Sequence, residues 1–377
     1  MGGIYLHIPF CRQACHYCDF HFSTSLGKKE RMVSALKKEL ELRKEEFKDE
    51  LVETIYFGGG TPSVMETSEI NGLINTIYSN YQVIENPEIT LEANPDDLFK
   101  EKLSELSNSK INRLSIGIQS FFEEDLLFMN RAHNANEAEE CIKEATRHFD
   151  NISIDLIYGI PGMSNERWGK NIEKALSYGI PHISSYALTV EPKTALANFI
   201  KKGMVKPIDD EQAQRQFHIL YDVLAGAGFD CYEVSNFGKP GYYSKNNTAY
   251  WLGKRYMGIG PSAHSFDGKQ RGWNINNNPK YLKAIEKGEL PMETEVLSKN
   301  DKYNEYVMTS LRTSWGISLE RIQNEFGETF SKHLTQQIKK YVAQKLLAVS
   351  EDRLVATKKG KFLVDGIASD LFVVNLD

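Results

Sequence analysis

The sequence predicts an α/β protein: an incomplete (β/α)6 barrel with a β-rich extension and a C-terminal winged-helix-like helical module. Three observations carry that expectation. Short apolar runs alternate with longer amphipathic stretches from the first residues to about position 190, the rhythm of β-α units and a parallel sheet. Residues able to do chemistry recur at the C-terminal ends of those runs, as they do at the mouth of a barrel. After Leu188 the alternation gives way to aromatic, glycine-rich sequence, and from Ser298 onward helical periodicity returns. The expected boundaries are 1-205 for the partial barrel, 206-297 for the extension and 298-377 for the C-terminal module.

Taken in order, the expected strands are Ile4–Ile8, Thr54–Phe57, Ile89–Ala93, Arg113–Ile118, Ile152–Ile157 and His182–Leu188. Between them, apolar residues recur at three- and four-residue intervals over Lys29–Phe47, Ser68–Ser79, Lys100–Asn108, Asn136–Arg147 and Glu166–Tyr178, the spacing of helices with one buried face. A helix from about Asp209 to Ala227 leads into short strands and loops through Trp273, read as an extension beside the barrel. Two or three helices then precede Leu346–Val349 and Arg353–Thr357, a helix-helix-hairpin order.

Composition excludes several function classes. Lysine and arginine total 45 against 51 acidic residues, a net charge of -6, which leaves no basic excess for nucleic acid or an anionic membrane. Residues 298-377 hold 12 basic and 10 acidic residues, too even a balance for a DNA-reading module. No nucleic-acid partner is expected. The N-terminus lacks a basic region and a long apolar run, Leu6 stands where myristoylation needs Ser or Thr, and no window is long enough to span a bilayer. These features predict a cytoplasmic protein without an intrinsic membrane anchor.

Five cysteines suit no disulfide framework, and three of them fall within eight residues, a pattern of metal binding. Cys141 and Cys231 sit in helical and strand-like runs and are expected to be buried structural thiols. Cys11, Cys15 and Cys18 follow the first strand with the spacing C-x3-C-x2-C. Three thiolates on one short loop each hold one iron of a 4Fe-4S cubane and leave the fourth iron open. S-adenosylmethionine (SAM) can chelate that iron through its amino and carboxylate groups and be cleaved reductively. The competing reading is a zinc site completed by His7, His16 or His21, although no second ligand pair of the usual kind is evident.

The run Tyr5-x-His7-Ile8-Pro9-Phe10-Cys11-x3-Cys15-x-Tyr17-Cys18-x-Phe20 resembles the radical SAM family of oxygen-independent coproporphyrinogen III oxidases and its heme-chaperone branch, the HemW proteins. The resemblance implies SAM contacts at Tyr5 and Tyr17. It implies them also at Gly59, Gly60 and Thr61 in Gly58-Gly59-Gly60-Thr61-Pro62, where glycine allows close backbone approach. Further contacts implied are Glu92 in Leu91-Glu92-Ala93-Asn94-Pro95, Gln119, Arg131, whose guanidinium suits a carboxylate, and Asp155 toward the nucleoside. Taken singly, each of these polar residues is equally read as a helix cap or surface ion pair; five strand ends match in order.

Two departures separate this chain from the oxidases. Phe20 stands where they carry a further cysteine, and Cys11 has only ten residues before it, where they have an extension. Both point to the chaperone branch, as do Tyr232-Glu233-Val234-Ser235-Asn236-Phe237 and Tyr256-Met257-Gly258-Ile259-Gly260-Pro261-Ser262-Ala263-His264. That branch associates heme binding with a His-Asn-x-x-Tyr motif, for which this chain has Asn246-Asn247-Thr248-Ala249-Tyr250. Asn247 and Tyr250 are thereby implied in a heme loop, while Asn246 replaces the histidine, and an amide is no substitute for imidazole on heme iron. Tyr250, His264 and His21 are candidate replacement ligands.

The expected function is a heme chaperone on a radical SAM scaffold, with a 4Fe-4S cluster, SAM and heme as cofactors. Its expected partners are heme-accepting proteins and an electron donor such as flavodoxin or ferredoxin. The alternative is a radical enzyme acting on a porphyrin or another small substrate through a 5'-deoxyadenosyl radical.

Overall fold

Six strands, β1 (Gly2–Ile8), β2 (Leu51–Gly59), β3 (Gln82–Ala93), β4 (Arg113–Gln119), β5 (Ile152–Tyr158) and β6 (His182–Ala187), pair in parallel in sequence order in the computed structural model, which describes residues 1–374. The last three positions of the expected C-terminal module, 375–377, lie outside the described residues. The connecting helices are α1 (Lys29–Leu42), α2 (Thr67–Asn80), α3 (Lys100–Ser107), α4 (Glu123–Met129), α5 (Ala135–Ala145) and α6 (Asn165–Ser177). Reciprocal side-chain caps, Glu66 with Glu69 and Asn134 with Glu137, open α2 and α5.

Alternation along the strands sorts the side chains. Ile4, Leu6 and Ile8 of β1, Ile55 and Phe57 of β2, Ile89 and Leu91 of β3, and Ile152, Ile154 and Leu156 of β5 are fully buried in one core with the helices. The residues between them point the other way, so the inner face carries Tyr5, His7, Tyr56, Glu92, Ser115 and Asp155. They meet across the interior: a side chain on Gly58 would strike Tyr5, Tyr56 and Glu92 at 2.9–3.0 Å.

The expected helix over 29–47 is divided. α1 stops at Leu42, and a 3-10 turn, Lys44–Phe47, follows. The buried Arg43 at the junction donates to the Gly258 carbonyl (2.7 Å) and to Glu39 (3.2 Å), and these partners hold the chain off the helix axis. The sequence pattern does not predict α4, whose seven residues carry too little periodicity to register.

The following segment holds α7 (Ala195–Lys201), α8 (Asp210–Gly226), β7 (Asp230–Glu233), β8 (Asn236–Gly238), α9 (Lys245–Trp251), β9 (Arg255–Ile259), β10 (His264–Phe266), β11 (Gln270–Asn274), α10 (Asn278–Lys287) and β12 (Met292–Val296). Expected beside the barrel, it is instead woven into the barrel's sheet. β8 pairs antiparallel with β6, and β9 runs parallel to β1 at the opposite edge, giving twelve strands in the order β12-β11-β10-β9-β1-β2-β3-β4-β5-β6-β8-β7. The reason is the edge itself: an open parallel sheet leaves backbone N–H and C=O groups that must find partners.

Beyond it lie α11 (Lys299–Leu311), β13 (Ile317–Ser318), α12 (Leu319–Arg321), α13 (Glu328–Ala343), β14 (Leu347–Ser350), β15 (Arg353–Ala356), α14 (Lys358–Lys361) and α15 (Val364–Asp370). The helix-helix-hairpin order is present, around a second core that includes Tyr303, Leu311, Leu334 and Leu354. This region is fastened to the extension by backbone bonds from Val234 N to Arg312 O (3.0 Å) and from Ser314 N to Tyr232 O (2.9 Å).

Candidate functional site

The loop after β1 is fixed at both ends by backbone bonds. Cys11 N donates to Ser23 O (3.1 Å) and Ser23 N to Pro9 O (3.0 Å), closing the loop on itself. The end of β2 is tied to its start, Gly60 N to Ile8 O (2.9 Å) and Thr61 N to Phe10 O (2.7 Å). In the middle, His16 N donates to Met129 O (3.0 Å) at the end of α4, and Leu196 N of α7 donates to His16 O (2.8 Å). Two helices for which the sequence offered no signal therefore hold the cysteine loop.

The three thiols are free and line one cavity of about 700 Å³ at the C-terminal ends of the parallel strands. Polar side chains bracket them. Thr61 Oγ1 donates to Cys11 Sγ (3.4 Å) and Arg131 Nη1 to Cys15 Sγ (3.4 Å). Arg131 Nη2 donates to Asn94 Oδ1 (2.7 Å) and Gly117 O (2.8 Å), and Asn94 Nδ2 reaches Thr61 Oγ1 (3.3 Å). Burial raises the Cys11 thiol and pushes Cys18 up to about 11, so both give up protons on binding metal.

The histidines of the zinc reading face elsewhere. His7 Nε2 bonds His21 O (2.9 Å), His16 Nδ1 bonds Phe128 O (2.9 Å) and His21 Nε2 bonds Asn278 Oδ1 (2.7 Å). Among the described residues no three His, Cys, Asp or Glu side chains gather about a single ion. The donors present fit a cluster with a chelating cofactor: three thiols, with the buried Arg131 keeping its Nε unpartnered next to them.

The strand-end residues reach the same cavity. Tyr17, Gly59, Gly60, Thr61, Glu92, Gln119, Arg131 and Asp155 all line it. Tyr5 does not; it lies deeper in the barrel, its hydroxyl 3.3 Å from His7 Nδ1. The glycine run is required by the chain itself, because a Cβ on Gly60 would stand 2.5 Å from the Phe10 carbonyl oxygen. Gln119 adopts a left-handed backbone, φ 65°, a costly conformation kept where the surroundings fix it. Tyr56 donates to Glu92 (2.8 Å), yet burial pushes that carboxyl up to about 7, and burial pushes Asp155 up to about 6.

Asn246, Asn247 and Tyr250 lie on α9 and do not line this cavity. Asn246 is only 2% exposed and sits at the opposite, N-terminal end of β1 and β2, its Oδ1 accepting from Thr54 Oγ1 (3.0 Å). His264, a candidate replacement ligand, is on β10, also outside the cavity. Sequence reasoning missed Asn94, whose place before Pro95 at a strand end was its only signal. It also missed Arg312, Lys361, Phe362 and Asp365, which line the cavity from the C-terminal region and which no local pattern distinguishes.

Comparison with known proteins follows this layout. Residues 5–175 match the radical SAM superfamily and residues 297–363 the HemN C-terminal domain. The chain is 36% identical to the heme chaperone HemW of Lactococcus lactis, over 97% of this chain and 98% of that one. It is 32% identical to the heme chaperone HemW of Bacillus subtilis, over 96% and 97%. The structure of coproporphyrinogen III oxidase (HemN) from Escherichia coli superimposes with a TM-score of 0.85 at 22% identity, covering 98% of this chain and 90% of that one. Among the described residues, no helix is long and apolar enough to cross a membrane.

Proposed function

The chain belongs to the heme chaperone HemW family of radical SAM proteins, and from that membership we propose that it holds heme for delivery to an acceptor hemoprotein, with a 4Fe-4S cluster on Cys11, Cys15 and Cys18 and SAM at the adjoining strand ends. The observation that carries this reading is the single cavity into which the three free thiols and the ends of successive parallel strands all open.

When bound, the cluster supplies an open iron and an electron for the SAM sulfonium. The chain's own residues prepare that place. The hydroxyl of Thr61 and the guanidinium of Arg131, already directed at sulfur, stabilise thiolate charge on Cys11 and Cys15. The spare Nε of Arg131 is suited to a carboxylate. Asp155, whose carboxyl burial pushes up to about 6, offers oxygens able to accept from ribose hydroxyls. Phe20, 69% exposed beside Cys18, brings no further thiol to the cluster, which supports the chaperone over the oxidase. A small electron-transfer protein such as flavodoxin or ferredoxin supplies the reducing equivalents in this reading.

The test reconstitutes the cluster anaerobically, adds SAM and a reductant, measures 5'-deoxyadenosine and titrates heme by absorbance. Heme uptake, with the cluster spectrum lost in Cys15→Ala, is the expected result. Turnover that depends on a porphyrinogen, in a protein with no affinity for heme, would sink the chaperone reading in favour of an enzyme.

A further inference from the structure

The cavity extends well past the strand ends. Its far wall is built by Phe217 of α8 and by Phe362 and Val364 of the C-terminal region, with Leu188 after β6. The rings of Phe217 and Phe362 pack with centroids 5.7 Å apart. Among the described residues, one cation in this apolar wall forms no ion pair. Lys361 is only 7% exposed, lines the cavity, and among the described residues has no carboxylate within ion-pair distance.

Arg312 and Lys102, by contrast, are engaged by oxygen atoms of the chain. Arg312 is matched by Glu233 (2.9 Å) and by both oxygens of Asp365. Lys102 donates to the carbonyls of Ser63 and Met65. The polar neighbour of Lys361 is the Cys231 thiol, which burial pushes up to about 11; a neutral sulfur leaves the ammonium uncompensated. Lys361 thus lines the cavity with an ammonium that no oxygen of the described residues engages, the position in which an anionic group of a ligand would find a partner.

We propose that Lys361, with the apolar wall around it, is a subsite for the carboxylate arm of a large apolar ligand whose body lies between Phe217, Phe362 and the strand ends. This deepens the heme reading and rests on it: the macrocycle is the apolar body and a propionate side chain the anion. Lys361 would then select acidic tetrapyrroles over neutral ones.

Full-length protein with its cluster reconstituted is titrated by absorbance with hemin and with hemin dimethyl ester, whose acid groups are masked. The native chain should bind the diacid about tenfold more tightly than the diester, the worth of one charge-assisted contact. Lys361→Met should bring the diacid down to the level of the diester, and Lys361→Arg should keep most of the preference. The comparison of the two ligands on the native chain needs no variant to fold. Equal binding of both, or a preference that survives in Lys361→Met, overturns the subsite and leaves heme binding intact. Binding of neither removes the heme reading. The subsite is then judged with anilinonaphthalene sulfonate, an apolar anion, whose fluorescence enhancement should be lost in Lys361→Met; equal enhancement in both proteins overturns it.

Discussion

Glu92 is a carboxyl on the inner face of the barrel, and burial holds it up to about 7. A folded-state value above the unfolded one means that the native chain binds the extra proton between about 4.5 and 7. Stability therefore falls as pH rises through that window, and the deficit is complete above it. Glu92→Gln keeps an acceptor for the Tyr56 hydroxyl and removes the charge. Its melting temperature should exceed that of the native chain at pH 7.5, by the equivalent of about 3 kcal/mol at most, with the gap closing toward pH 5. A gap that widens on acidification would show that Glu92 is ionised in the fold. At Asn246 the residue in sequence and the residue in space carry different messages. Read along the chain it is a missing heme ligand; in the structure it is a buried amide bonded to Thr54, remote from the cysteines. Asn246→His should leave the heme titration within about twofold, and a much tighter titration would return the heme to α9.

The element that does most for the site is the joint between the cysteine loop and the end of β2. Three of its properties were legible in the sequence: the cysteine spacing, the glycine run and their positions after successive strands. The reason for the glycines was not. Gly60 is needed because the Phe10 and Ile8 carbonyl oxygens lie 2.5 and 2.9 Å from where its Cβ would be. Gly60→Ala must push the cysteine loop outward, a strain of about 1–3 kcal/mol, and should lower the iron retained after anaerobic desalting while Gly27→Ala, with nothing near its Cβ, should not. Along the sequence α9 reads as loop, because glycine and aromatic residues surround it. Ser244 caps it, its Oγ accepting from Asn247 N (3.2 Å), and Glu88 of β3 accepts from the N–H groups of Lys245 and Asn246 (3.0 and 3.1 Å). A cap supplied from 157 residues away leaves no mark in a local window.

At the scale of the whole molecule, Arg312 joins regions that the sequence pattern treats as separate. It pairs with Glu233, which is fully buried, and with Asp365, and it lies over the Trp251 ring of α9 at 5.2 Å. Arg312→Met removes the partner of a buried carboxylate and should cost about 3–5 kcal/mol. Urea denaturation should show the loss, with earlier unfolding of residues 298–374; an unchanged midpoint would mean that the backbone bonds of Val234 and Ser314 suffice. The sequence by itself determined the parallel barrel, the three-cysteine loop and the strand-end residues, because alternation and motif spacing are local properties written over a few residues. Only the tertiary structure decided how the extension continues the sheet past β1 and β6, which helices grip the cysteine loop, and that Lys361 faces the same cavity as Cys11. Those facts depend on which backbone groups and charges remain unpaired once the barrel has formed, and partners for them come from residues far away along the chain.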